Sequence, residues 1–425
     1  MTEKIIEFSG SHPKPFGVVQ QKAAGVFEAK GLPGLKDEEW KYTNIRQVFE
    51  KSYALNIAKR EIAVKSFISR FPFLSEGIVI VLINGKTVEI PVKNLPAGLK
   101  AEVINQQNMD EWFNTHFARL ASDEKDSLTA LNTSLLSECL LISVAANTKI
   151  TAPVYLLNIS SSAEPAMTYG RLLVYAGKHS NADITLLHVS DNEQSETFDN
   201  MVTEIYAQEN SALEINLIQQ QNLVSNVVTA TNARVEVNAK FRINTFTAGG
   251  NLTRNKLQIT LAGRNSEAIL NGLYLPSGKM HIDNFTSVIH AVPHGMSNQT
   301  YKGVISGMAH GVFNGRIVVE RDAQKTQAYQ SNKNLLLSRN AVINSKPQLE
   351  IFADDVKCTH GATTGQLDDD ALFYLCARGI NRNDALTLLV QAFAGEVMDG
   401  MENKAVNEYL HDLIAQHFST LPNEP

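Results

Sequence analysis

The feature that most constrains this chain is a change of texture at about Leu140. From there to about residue 365, helical periodicity is almost absent. Short runs rich in Val, Ile, Leu, Thr and Tyr follow one another, with Asn, Ser, Ala and Gly between them. Arg171 to Tyr175, Asp183 to Val189, Met201 to Ala207, Leu213 to Gln219, Lys256 to Leu261 and Gly315 to Glu320 all read as strands. The corners recur in related form, a small or Asn-containing pair just before an alternating strand: Asn181-Ala182, Asn210-Ser211, Asn265-Ser266 and Asn340-Ala341. Their spacing is irregular. A stack of coils, each unable to bury its apolar face alone, has this appearance, and so does a large sandwich. A parallel β-helix is the preferred reading, because Asn and small residues suit tight coil corners, whereas a sandwich should show more two-residue hairpin turns.

Three regions are expected: a mixed helix and strand region over 1–138, a β-helix core over 139–365 and a small helical domain over 366–425. The first opens with a helical pattern from Val18 to Phe49, broken at Gly31-Leu32-Pro33-Gly34. Asn84-Gly85, between the apolar run Ile78 to Ile83 and Thr87 to Val92, predicts a hairpin. Apolar spacing of three and four residues predicts helices over Met109 to Leu120 and Glu124 to Leu136. In the last region Asp368-Asp369-Asp370 starts a helix that ends at Arg378-Gly379, with the acidic residues complementing the helix dipole and the glycine as C-terminal cap. Further helices fit Asp384 to Met398 and Lys404 to Phe418.

With 425 residues there is ample apolar sequence for a large core, and the net charge of -6 is spread without a long single-sign block. That argues against a nucleic-acid or anionic-membrane surface. Acidic residues occur before any apolar stretch of signal-peptide length, so no secretion signal is expected. The most apolar stretches, Gly77 to Ile83 and Leu140 to Ala146, fall far short of the roughly 20 residues needed to cross a bilayer. Cys139, Cys358 and Cys376 are widely separated, poor material for a disulfide framework. A cytoplasmic protein is the expectation.

The segment richest in chemistry is Phe352-Ala353-Asp354-Asp355-Val356-Lys357-Cys358-Thr359-His360-Gly361-Ala362-Thr363. On an extended strand, residues two apart share a face, so Cys358 and His360 can present sulfur and nitrogen to one metal centre. Lys357 is expected to lower the thiol pKa. The bland alternative makes Cys358 a small core residue and His360 a turn residue, and an isolated pair favours it. Two ligands do not complete a tetrahedral centre. Any metal role must draw further ligands from Asp354 or Asp355, from sulfide, or from a second subunit.

Other candidates read as structural. Cys139 and Cys376 sit in apolar surroundings. His281, His290, His294 and His310 tempt a metal reading, but Pro293 disfavours a helix between His290 and His294 and no Glu follows His290. The glycines from Thr300 to Gly311 lack a Gly-Lys-Ser/Thr ending, so no ATP site is expected. Trp40 and Trp112 are expected to pack.

Taken in order, Glu39-Trp40-Lys41-Tyr42-Thr43, Lys346-Pro347-Gln348-Leu349-Glu350-Ile351, Ala353 to Thr363, and Phe373-Tyr374-Leu375 through Arg378-Gly379-Ile380 resemble the SufB/SufD family of the Suf iron-sulfur cluster assembly system. The Cys-x-His-Gly at Cys358 to Gly361 resembles SufD-type members, whereas SufB-type members carry a His-Glu-Ala-Thr pattern there. The resemblance implies a right-handed parallel β-helix core with flanking helical regions, and a non-catalytic scaffold subunit in a SufB-SufC-SufD complex. It implies a SufB-like partner at the β-helix end and a SufC-like ABC ATPase at the C-terminal helices, where Arg378, Gly379, Ile380, Asp384 and Leu388 are the candidate contacts. His360, and with it Cys358, would hold a transient iron-sulfur cluster at the interface, completed by SufB, with none stably bound on the isolated chain. A homodimer is possible for the chain alone. The competing readings are a β-helix carbohydrate-active enzyme, for which Asp354 and Asp355 would point to opposite faces, and a metal-independent structural homodimer.

Overall fold

The structure is a computed structural model that describes Ile5 and residues 14–55, 62–121, 124 and 126–419. The part of the Glu124 to Leu136 expectation that falls on residue 125 lies outside the described residues, as do 122 and 123 beside it. The strands run β1 (Ile78–Ile83), β2 (Lys86–Glu89), β3 (Leu99–Ile104), β4 (Cys139–Val144), β5 (Val154–Ser160), β6 (Ala166–Ala176) and β7 (Asn181–Ser190). They continue as β8 (Thr197–Ala207), β9 (Ala212–Gln220), β10 (Asn226–Val235), β11 (Lys240–Thr247), β12 (Leu252–Leu261) and β13 (Glu267–Tyr274). The last are β14 (His281–His290), β15 (Met296–Ile305), β16 (His310–Val319), β17 (Gln327–Leu336), β18 (Val342–Ile351) and β19 (Lys357–Gly365).

These strands build a β-solenoid of about 8 turns. One sheet is ordered β19-β17-β15-β13-β11-β9-β7-β5-β1-β2 and the other β18-β16-β14-β12-β10-β8-β6-β4-β3. From β4 onward consecutive strands therefore alternate between sheets, and each pairs in parallel with the strand two positions on. That pattern excludes the sandwich. Only β1 with β2 and β3 with β4 pair antiparallel among the described strands. β1 pairs with β5, so strands from before residue 138 extend both sheets.

In-register stacking puts like residues above one another, and a period of two sends alternate side chains into the space between the sheets. Val174, Ile205, Ala233, Ile259, Val288 and Ile317 form one such column in the nine-stranded sheet. Burying each aliphatic side chain of this kind contributes roughly 1.5–3 kcal/mol. The corner before each odd strand from β7 to β17 requires a left-handed residue: His179, Asn210, Asn238, Asn265, His294 and Lys325 all have φ between 55° and 63°. Asn tolerates that region, and here it also links coils. Asn238 Nδ2 donates to Asn210 Oδ1 at 3.0 Å, and Asn265 Nδ2 to Asn238 Oδ1 at 3.1 Å.

The expected hairpin forms at Asn84-Gly85, both with positive φ. A Cβ on Gly85 would lie 2.6 Å from the Tyr169 carbonyl oxygen, so the turn can seat only glycine there without displacing the backbone of β6.

Helices α1 (Val18–Lys30), α2 (Ile45–Val48), α3 (Val64–Ile68), α4 (Glu111–His116) and α5 (Ser127–Leu135) precede the main stack. The expected Met109 to Leu120 helix is shorter than its apolar spacing implied. Asp110 caps it by accepting from Phe113 N at 2.7 Å, and it stops before Ala118, whose φ is positive. Residues of α1, α2 and α5 pack with Met167, Phe198, Val228 and Leu252 on the nine-stranded sheet. Buried Glu204 ties the following loop down, accepting from Ala118, Leu120 and Ala121 backbone N–H groups and from Arg171 Nη2 at 2.6 Å.

After the stack come α6 (Asp369–Ala377), α7 (Arg382–Met398) and α8 (Lys404–Ser419). Asp368 caps α6, accepting from Asp370 and Ala371 N–H groups, and Gly379 follows it with φ 90°. Val390, Ala394 and Val397 of α7, with Val406, Leu410 and Ile414 of α8, cover Ile218, Phe246, Leu273 and Val304 on the ten-stranded sheet. Both sheets are thus clad over their earlier coils. The last coil is not.

Candidate functional site

β18 and β19 are the terminal strands of their sheets. Among the described residues β18 is bonded only to β16 and β19 only to β17, so each offers there a free row of backbone N–H and C=O groups on its other side. β19 is exposed at every residue but Cys358. Added Cβ atoms at Gly361 and Gly365 would meet nothing within 4 Å. An exposed edge of this length is a template for a further strand.

Cys358 and His360 lie two apart on β19, over Ala328 and Gln330 of β17. Cys358 is half-buried against a small apolar cluster that includes Ile317, Val319, Ala328 and Ala353. Burial pushes its thiol up, the Ala328 backbone opposing this to a lesser degree. This corrects the expectation that Lys357 would lower it: strand alternation puts Lys357 on the opposite face from Cys358. His360 is exposed. Asp354 and Asp355 are exposed at the corner before β19, and Asp355 is engaged by Lys325 through its carboxylate and its carbonyl oxygen. Among the described residues no group of three or more His, Cys, Asp and Glu is placed to hold a metal ion. The pair therefore remains two donors on an open edge.

One column leads to that edge. Ile78, Val154, Ile184, Ile215, Ile243 and Leu270 stack in register along the ten-stranded sheet, and the same column continues as Gln299, Gln330 and His360. Gln330 Nε2 donates to Gln299 Oε1 at 2.8 Å, and Gln299 Nε2 donates to Thr286 Oγ1 across the core. The two glutamines did not stand out in the sequence, since only the register reveals that they continue an aliphatic column.

The second group of candidates lies on α6, α7 and the turn between them. Arg378 Nη2 donates to Tyr374 Oη at 2.9 Å, with the guanidinium 5.0 Å from that ring's centre. Gly379 and Ile380 form the turn, and Asp384 receives Asn381 Nδ2 while its own N–H donates to Asn381 Oδ1. Leu388, Phe373 and Tyr374 are exposed, Phe373 by 74%. The sequence reading missed Phe373 and Tyr374 as surface residues, although neither shares the buried position of Leu372 on α6.

The Glu39 to Thr43 motif docks the opening segment. Trp40 is buried with its ring 4.1 Å from the Arg254 guanidinium, Glu39 pairs with Lys256 at 2.8 Å, and Thr43 donates to Asp283. The histidines of the middle coils are structural as well. His281 and His310 are register neighbours with ring centres 4.7 Å apart, and burial pushes His281 down to about 4. His290 is buried and bonded to Ser297, while His294 occupies a left-handed corner.

Fold and edge together define a β-solenoid protein with one clad flank on each sheet and an open terminal coil bearing a thiol and an imidazole. Comparison with known proteins agrees. The SufBD core domain model of the SUF iron-sulfur cluster assembly system matches residues 158–393, and the SufBD N-terminal region model matches residues 8–156. A SufBD family iron-sulfur cluster assembly protein of Synechocystis is 30% identical over 89% of this chain and 86% of its own. SufD of Escherichia coli is 39% identical over 40% of each chain, and the chloroplastic protein ABCI7 of Arabidopsis thaliana is 25% identical over 96% of this chain and 87% of its own. The chain belongs to the SufBD family of iron-sulfur cluster assembly proteins. Among the described residues no helix is long and apolar enough to cross a membrane.

Proposed function

We propose that this chain is a non-catalytic scaffold subunit that assembles iron-sulfur clusters in the cytoplasm together with a SufB-like subunit and a SufC-like ABC ATPase. The observation that carries this reading is the open edge of β19, which offers His360 and Cys358 but no third ligand among the described residues. A strand of the SufB-like subunit adds to the β18–β19 end and supplies the missing donors, so the cluster is cargo held between subunits and not a resident of the isolated chain. In isolation the same edge is available to a second copy. His360 supplies a ring nitrogen, and Cys358 ligates once the metal displaces its proton.

The exposed Phe373, Tyr374 and Leu388, with Arg378, Gly379, Ile380 and Asp384 beside them, form the face that docks the ATPase. ATP hydrolysis belongs to that partner, whose closure shifts the two scaffolds and opens the site. The test is anaerobic cluster reconstitution on the three-protein complex. His360→Ala is expected to leave the thermal transition unchanged and to abolish cluster build-up; a normal yield would remove His360 from the site.

A further inference from the structure

The aliphatic column of the ten-stranded sheet turns polar only in its last coils, where Leu270 is followed by Gln299, Gln330 and then His360. For stability alone another Leu or Ile would serve better, because a buried amide must find partners for both its ends. Gln299 does: it accepts from Gln330 and donates to Thr286. Gln330 does not. It is 3% exposed, its Nε2 is committed to Gln299, and its Oε1 has no hydrogen-bond partner among the described residues. A buried acceptor left unpaired costs roughly 1–3 kcal/mol. The residue directly above it in register is His360, whose exposed ring is free to turn about its side-chain torsions.

We infer that Gln330 is a positioning residue for His360: its side-chain carbonyl oxygen accepts one imidazole N–H and thereby fixes the tautomer whose other nitrogen faces the open edge as a ligand. Ligating histidines commonly donate their second ring N–H to a carbonyl or carboxylate, which sets ring orientation and raises donor strength. In the structure Gln330 Nε2 is used inside the core by Gln299, so Oε1 is the atom that remains for the edge. The inference builds on the reading of His360 as a ligand, but its test needs neither metal nor partner.

The test is the imidazole-nitrogen NMR spectrum of the full-length chain carrying isotopically labelled histidine, at a pH where the ring is neutral. His360→Ala assigns the signals. In the wild type His360 is expected to show one protonated and one lone-pair nitrogen, the pattern of a single tautomer. Gln330→Leu should collapse the two signals toward their average, and Gln330→Glu, which keeps an acceptor, should restore them. An averaged pair in the wild type would overturn the inference without any variant, and so would an unchanged spectrum in Gln330→Leu. A normal cluster yield in His360→Ala would instead overturn the ligand reading while leaving the tautomer result standing.

Discussion

At the scale of single residues, the clearest pH-dependent feature lies away from the open edge. Glu214 of β9 stacks in register on Asp183 of β7 where α7 turns into α8, with Glu214 buried and Asp183 half-buried. Glu214 Oε1 accepts the Glu402 backbone N–H at 3.1 Å, and Arg242 Nε stands 3.8 Å from Oε2, too far for a hydrogen bond. Burial pushes Glu214 up to about 7 and Asp183 up to about 6. A carboxyl whose folded pKa is raised holds its proton more tightly in the folded chain, so the stability it contributes is complete below the ordinary carboxyl range and is lost as pH rises through about 7. Glu214→Gln should therefore match the wild type in denaturant titrations near pH ~4 and exceed it by roughly 1–3 kcal/mol near pH ~8. A constant difference across that range would contradict the assignment. Cys358 and His360 were legible in the sequence because a thiol and an imidazole announce their chemistry. Gln330 and Glu214 were not, because each acquires its meaning from the residue stacked on it a whole coil away.

At the scale of elements, the corners explain both the success and the failure of sequence reading. Asn210 and Asn265 were recognisable as corner residues, and both are left-handed. His179, His294 and Lys325 occupy the same place in other coils, where the backbone demands the conformation and the residue type does not advertise it. Coil length also varies, since Asn226 stacks on Leu252 and His310 on Val342, so no fixed period emerges. Asn238→Ala removes both ladder bonds and places a less tolerant residue in the left-handed region; it should lower stability by about 1–2 kcal/mol, measured as a shift of the denaturant midpoint with unchanged slope. The hairpin at Asn84-Gly85 and the caps Asp368 and Gly379 were legible because their chemistry is local. The docking of Trp40 on Arg254 was not, since it joins segments far apart in the chain. On α6 and α7 the exposed Phe373 and Leu388 contribute little to the fold. Phe373→Glu together with Leu388→Glu should cut capture of a SufC-like ATPase at least tenfold in pull-down while the melting temperature stays put, and full capture would move the docking face elsewhere.

At the scale of the whole molecule, the solenoid is finished at one end and open at the other. β2 and β3 close the beginning with antiparallel pairs, α1, α2, α4 and α5 clad the nine-stranded sheet, α3, α7 and α8 clad the ten-stranded one, and among the described residues β18 and β19 are left with free edges. A long exposed edge is a liability that folded proteins ordinarily cover or shorten, and its retention here coincides with the placement of His360 and Cys358. The parallel β-helix was readable from the paucity of hairpin turns. The openness of its last coil was not, because an edge is defined by the strand that fails to follow. The proposed scaffold function leaves this chain with half a site, and the most direct measurement is iron and acid-labile sulfide bound after identical anaerobic reconstitution of the isolated chain and of its complex with a SufB-like subunit and a SufC-like ATPase. It predicts cluster on the complex and none retained by the isolated chain; a full complement of iron and sulfide on the isolated chain would contradict it.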